Sequence, residues 1–220
     1  MTLQRLSPYV SGYVSATLVK EETDNLLPIL LAPDGDKQLR GALKRSDLLR
    51  YNSESSRERV LVEIRRRFKQ MPIGFWKDYQ QMSAQDQHVA LFLVLLKTYR
   101  LLFDFQTQVV IPRWQRMERR LTYHDLRLHY MEIASRDDKV NSWTESTRSH
   151  VISSSLTLFR QVGLLNHQGL LCPLRCSNFG YYLTHGEPWF LEACLLQPYE
   201  ITNIKSNTIY DYTRIRTTVE

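Results

Sequence analysis

Three sets of residues have types and spacings that could carry chemistry. The first is the thiol and imidazole set, Cys172, Cys176 and Cys194 with His167 and His185. Such a set could ligate zinc, but a structural site needs a second closely spaced pair, C-x2-C or H-x3-H, and the chain has none. No metal is expected. The second set is acidic: Asp34 and Asp36 beside Lys37, and Asp137-Asp138-Lys139. Nuclease carboxylates converge from separate elements, whereas each of these groups occupies one turn. Neither G-x4-G-K-[ST] nor G-x-G-x-x-G occurs, so there is no phosphate-cradling loop and no cofactor is expected. The six histidines form no pair with a nucleophile, and His124 and His129 are spaced off a common helical face. The expectation is a protein that is not an enzyme.

The third set is basic. Residues 37–69 hold eleven Lys and Arg (Lys37, Arg40, Lys44, Arg45, Arg50, Arg57, Arg59, Arg65, Arg66, Arg67, Lys69) against four acids, Asp47, Glu54, Glu58 and Glu63. The whole chain of 220 residues has a formal net charge of +6, so everything outside this segment sums to about −1. Charge gathered in this way points to a polyanionic partner and says nothing about fold. Arg113, Arg116, Arg119 and Arg120 form a further basic cluster that could extend the patch or be only a solvated helix end.

The elements that must position these side chains read as helices. Eight glycines and eight prolines fall well below the usual ~12% share, which disfavours a many-stranded fold. Apolar spacing predicts helices over Ser15–Leu31, Gln38–Leu49, Ser53–Met71, Phe75–Gln81, Gln85–Val110, Tyr123–Ala134 and Thr144–Val162. Residues 32–36 read as a turn, and the long central helix is expected to stop near Pro112. Gly163–Leu171 reads as two short strands joined by a turn, a possible wing, and Phe179–Leu183 and Trp189–Leu196 close the helical part. The tail from Tyr199, rich in Thr, Ile and Tyr, reads as either extended and docked or loose. The expected architecture is an all-α, compact helical globule with two helix-turn-helix-like units around a long central helix. Its parts are residues 1–82, 83–121, 122–197 and 198–220. An odd cysteine count, no apolar h-region at Met1–Pro8 and a longest apolar run of only Val89–Leu96 predict a cytoplasmic protein outside the membrane.

A self-match at one constant offset organises the chain. Ser53-Glu-Ser-Ser-Arg57 recurs as Thr144-Glu-Ser-Thr-Arg148, Val60-Leu61 as Val151-Ile152, and Phe68 as Phe159. Ser53 and Thr144 are N-cap candidates, and Glu54 and Glu145 suit the positive end of a helix dipole. Each copy ends a helical group, as the recognition helix of a helix-turn-helix does. With Val60, Leu61, Ile64 and Phe68 buried, the opposite face carries Ser55, Arg59, Val62, Glu63, Arg66 and Gln70, while Arg57 and Arg148 fall on the buried side as structural residues, expected to stack or pair between helices. The second copy exposes Ser146, His150, Ser153, Ser154, Thr157 and Gln161, a face suited to base edges or to a protein partner. The expected DNA-contact set is therefore Lys44, Arg45, Ser55, Arg59, Arg66 and Lys69, extended by Arg113 and Arg116, with Ser146, His150 and Ser153 from the second copy.

The segments Ser11-Gly-Tyr-Val-Ser-Ala-Thr-Leu-Val-Lys-Glu-Glu-Thr23, Ser53 to Phe68, Leu95-Leu-Lys-Thr-Tyr-Arg-Leu-Leu-Phe-Asp-Phe105 and Trp143-Thr-Glu-Ser-Thr-Arg148 leading to Gly163-Leu-Leu165 occur in that order. In this combination the chain resembles the BrxA family, small core proteins of BREX (bacteriophage exclusion) systems. The resemblance implies an all-α protein with helix-turn-helix motifs that binds double-stranded DNA without enzymatic activity. It also implies partners: a methyltransferase, ATPases and a phosphatase-like protein of the same defence system. The other reading of the residues is a scaffold that recruits those proteins through the His150 and Thr157 face.

Overall fold

A helix that is apolar on every side belongs at the centre of a helical fold. The run Val89–Leu96 is of that kind, and all eight residues are buried. The computed structural model describes residues 9–42 and 48–217, with the side chains of residues 36, 37, 40, 42 and 209–217 outside the description. Lys44 and Arg45 therefore lie outside the described residues. The central helix α5 (Ala84–Thr98) starts at Ser83, whose hydroxyl accepts from the Asp86 N–H. Ahead of it come a 3-10 turn (Gly12–Val14), α1 (Lys20–Leu31), α2 (Gly35–Ala42), α3 (Glu54–Phe68) and α4 (Ile73–Gln81).

Beyond α5 the expected single helix is divided. Tyr99 adopts an extended conformation (φ −118°, ψ 104°), and the chain resumes as α6 (Arg100–Phe105), a π-helical turn (Gln106–Val110) and α7 (Ile111–Gln115). Pro112 does not stop it. In the π turn the Ile111 N–H donates to Gln106 O, and Pro112 sits in the first turn of α7, where its missing N–H costs little. Then follow α8 (Tyr123–Ala134), α9 (Asp138–Asn141), α10 (Glu145–Gln161), α11 (Gly180–Thr184), α12 (Phe190–Ala193) and α13 (Pro198–Thr217).

Several expectations are corrected. The helix read from Ser15 begins only at Lys20, because the carbonyls of Ala16 and Leu18 are taken by the Arg67 guanidinium. The turn read over 32–36 gives way to helix at Gly35, and α2 is described to Ala42 where Gln38–Leu49 was expected. The strand pair at 163–171 reduces to two isolated bridges, Leu165 with Leu171 and Arg120 with Leu170, and no longer strand forms among the described residues. The tail is helical: Ile201 and Ile204 pack on the main core, so burial outweighs the β preference of its Thr, Ile and Tyr.

The protein is all-α. Its apolar interior falls into two clusters, a large one that runs from Tyr9 to Leu196 around α5 and a small one of Ala16, Val19, Leu26, Leu39, Leu49, Val60, Leu61 and Ile64. The small cluster is the common core of α1, α2 and α3. Among the described residues no helix is long and apolar enough to cross a membrane.

Candidate nucleic-acid interface

The two copies of the repeat begin as helices in the same way. Ser53 is in the β region, and its hydroxyl accepts from the Ser56 N–H at 3.2 Å. Thr144 accepts from Thr147 N–H at the same distance. The matched arginines also share a role. Arg57 donates to Tyr51 O at 2.7 Å and Asn52 O at 3.3 Å, while Arg148 donates to Trp143 O at 2.8 Å and Asn141 O at 2.6 Å. Each ties down the loop that enters its helix, so these two cations hold backbone in place.

The remaining bases of α3 separate by face. Ser55, Arg59, Val62 and Lys69 are exposed, and Arg66 is half-buried. Arg59 lies back along the helix, donating to Ser55 O and Ser56 Oγ at 3.2 Å each. Arg66 approaches Glu63 Oε1 at 3.7 Å. Arg65, Phe68 and Lys69 line a cleft of about 400 Å³ together with Leu30, Pro33 and Leu39.

Two residues of this run are withdrawn from the surface. Glu63, expected on the exposed face, is 5% exposed, and Arg67 is 2% exposed. Arg67 donates to Tyr99 Oη at 2.9 Å and to Leu18 O at 3.0 Å, and also to Ala16 O. Tyr99 in turn donates to Glu63 Oε2 at 2.8 Å, and burial pushes its hydroxyl up to about 12, so it stays a donor. A buried charge is costly unless it is hydrogen-bonded or paired: Arg67 is held by these three acceptors, and Glu63 by the Tyr99 hydroxyl and by Arg66 at 3.7 Å. The spacing carried a signal for Arg67, which stands one and two turns from Ile64 and Val60. Glu63 carried none, since its partners Tyr99 and Gly12 are remote in sequence.

The arginines at 113–120 serve mainly their own loop. Arg113 pairs with Asp125 at 3.0 Å and Glu118 at 3.3 Å, and donates to Arg120 O. Arg116 pairs with Glu118 at 2.9 Å, and these contacts hold the Glu118 carboxyl below its usual range, Arg116 first. The Arg119 guanidinium lies 3.5 Å over the Trp114 ring. Arg120 is exposed beside the wing-like turn of Asn166–Gly169.

On α10, Ser146, His150, Ser153, Thr157 and Gln161 are exposed and Ser154 is half-buried. Ser146 Oγ stands 3.3 Å from His150 Nδ1, and Thr157 donates to Ser153 O. This face offers donors and acceptors with little charge. The structure thus gathers Ser55, Arg59, Arg66 and Lys69 on one helix and Ser146, His150 and Ser153 on another, and sets Arg113 and Arg116 into ion pairs.

Among the described residues no three His, Cys, Asp or Glu side chains are grouped to hold a metal ion. Burial pushes the Cys176 thiol up to about 12 and the Cys194 thiol upward as well, the direction opposite to an activated nucleophile.

The fold and this surface define an all-α protein with two helices that start with matching caps, one displaying bases and the other hydroxyls. The chain belongs to the BrxA family, whose model matches residues 7–174, and is thereby a BREX phage-defence protein of an accessory family not known for enzymes. It is similar in fold to the crystal structure of an uncharacterized protein from Magnetospirillum magneticum, with a TM-score of 0.71 and 22% identity over 86% of this chain and 98% of that one. No curated protein matches it.

Proposed function

We propose that this chain is a non-enzymatic accessory protein that binds double-stranded DNA for its BREX system, with α3 as the helix that meets the duplex. One observation carries the reading: Ser55, Arg59, Val62, Arg66 and Lys69 share the side of α3 that faces away from its buried stripe. A helix with side chains is about 10–12 Å across, and the major groove of B-DNA is about 12 Å wide. Arg59 and Arg66 reach phosphates or guanine edges from such a position, and Ser55 reaches a phosphate from the first turn. Lys44 and Arg45 precede α3 and add to the same charge. In this reading α1–α3 and α8–α10 are helix-turn-helix units, and the turn after α10 acts as a small wing. Ser146, His150 and Ser153 supply a second, weakly charged contact. The other BREX proteins, a methyltransferase, ATPases and a phosphatase-like protein, are its protein partners in the cytoplasm.

Fluorescence anisotropy with a duplex of two helical turns tests the proposal. Binding is expected, and Arg59→Glu with Arg66→Glu reduces affinity by roughly 10- to 100-fold, because the facing phosphates are then repelled instead of neutralised. Unchanged affinity in that double variant overturns the assignment of α3.

A scaffold role is favoured by a different observation. Leu128 and Met131 are 51% and 55% exposed on one side of α8, a helix that packs against α10. A BREX protein that stays bound at high salt to a chain indifferent to DNA supports that role instead.

A further inference from the structure

The segment between Ser11 and Val19 has no regular element beyond the 3-10 turn, yet its backbone is bonded by side chains of two helices. It lies between the two capped helices and is held by both. From α3, Arg67 donates to Ala16 O and Leu18 O. From α10, Gln161 Oε1 accepts from Leu18 N–H at 3.1 Å, and its amide nitrogen lies 3.5 Å from Thr17 Oγ1. The fully buried Tyr13 crosses to α10 as well. Its hydroxyl stands 3.1 Å from Ser155 Oγ and 3.3 Å from Val151 O, and its ring packs on Tyr99 at 5.1 Å between centroids. Tyr13 donates to Val151 O, which also accepts from Ser155 at 2.7 Å, so the two hydroxyls meet at one carbonyl of α10. Tyr99 closes the path by donating to Glu63 on α3.

Two local features show that the segment is pressed into place. Gly12 approaches α3 so closely that a Cβ there would overlap the Glu63 carboxylate. Val19 sits in the left-handed region at φ 44°, where a β-branched residue is strained and persists only if its surroundings hold it. The bonds to Leu18 on both its N–H and its carbonyl supply that hold.

We infer that residues 11–19 form a strap through which α10 positions α3, and that Tyr13, Gln161 and Arg67 are the positioning residues of the basic helix. Loosening the strap from the α10 side loosens α3, although no α3 residue is changed. The consequence for DNA rests on the reading of α3 as the duplex-contacting helix, whereas the coupling itself does not.

Amide hydrogen exchange, followed by mass spectrometry on the full chain without DNA, separates the two. Tyr13→Phe keeps the ring and removes the hydroxyl, and Gln161→Ala removes the hold on Leu18 from the exposed end of α10. Each variant is expected to speed exchange in α3 about fivefold, the factor for one hydrogen bond of about 1 kcal/mol, while α5 keeps its protection. His150→Ala, on the outer face of α10, leaves α3 unchanged. Faster exchange confined to residues 11–19 and to α10 overturns the inference. Anisotropy on the same variants then reads the consequence: weaker duplex binding alongside looser α3 supports the strap as a positioning device. A wild-type chain that ignores duplex DNA, with α3 still loosened, overturns the DNA reading and leaves the coupling standing.

Discussion

The helices α3 and α10 begin alike and present different surfaces. Ser53 and Thr144 cap, and Arg57 and Arg148 tie down the entering loops, in the same manner. Past that first turn the resemblance holds only on the buried stripe, Val60-Leu61 against Val151-Ile152. Outward, α3 carries Arg59, Arg66 and Lys69, whereas α10 carries Ser146, His150, Ser153 and Thr157. The interiors differ too. Val151, Ile152, Leu158 and Phe159 belong to the large core around α5, while on α3 only Phe68 reaches that core, Val60, Leu61 and Ile64 lie in the small cluster, and a buried Glu63–Tyr99–Arg67 network is added. A repeat of this kind preserves what a helix needs in order to form and pack. Its exposed face is free to take another task.

The largest expected effect tests the difference in interiors. Arg67→Ala strips Tyr99 Oη and the Ala16 and Leu18 carbonyls of their buried charged donor and should cost about 3–5 kcal/mol, whereas Arg66→Ala, which removes only the half-exposed cation 3.7 Å from Glu63, should cost no more than about 1 kcal/mol. Urea unfolding measures both, and equal costs would break the distinction between structural and displayed arginines. Next is the difference in surfaces. The pair His150→Ala and Ser153→Ala should change duplex affinity by less than about threefold, against the roughly 10- to 100-fold loss from charge reversal on α3. A larger loss from the α10 pair would reverse the ranking of the two helices. The smallest effect concerns what the two helices share. Ser53→Ala and Thr144→Ala should each destabilise by about 1 kcal/mol, and thermal unfolding should find them within about 0.5 kcal/mol of one another.

Features set by neighbours along the chain were legible in the sequence. The caps at Ser53 and Thr144, the limits of α8 and the structural role of Arg57 and Arg148 all follow from local hydrogen bonding and helical period. The burial of Arg67 was within reach of the same period, since it stands on the face of Val60 and Ile64. Features set by distant partners were hidden. Glu63 goes inside because Tyr99 and Gly12 meet it there, and Ser15–Val19 stays non-helical because Arg67 and Gln161 take its backbone groups. The pairing of Arg113 with Asp125 likewise depends on how the loop folds back on α8, whereas Arg116 and Glu118 stand two residues apart and pair locally. Composition alone assigns those two bases to the patch. The helical tail was hidden for the opposite reason, its local preference being overruled by packing of Ile201 and Ile204.

The slope of duplex affinity against salt is the most direct test that the α3 bases meet phosphates. Anisotropy titrations between about 50 and 200 mM salt should show a steep linear fall of log affinity with log salt for the wild type. Neutralising the face with Arg59→Gln, Arg66→Gln and Lys69→Gln should make that slope shallower by about 2 to 3, close to 0.9 for each phosphate that no longer meets a cation. Parallel slopes for wild type and variant would contradict the account.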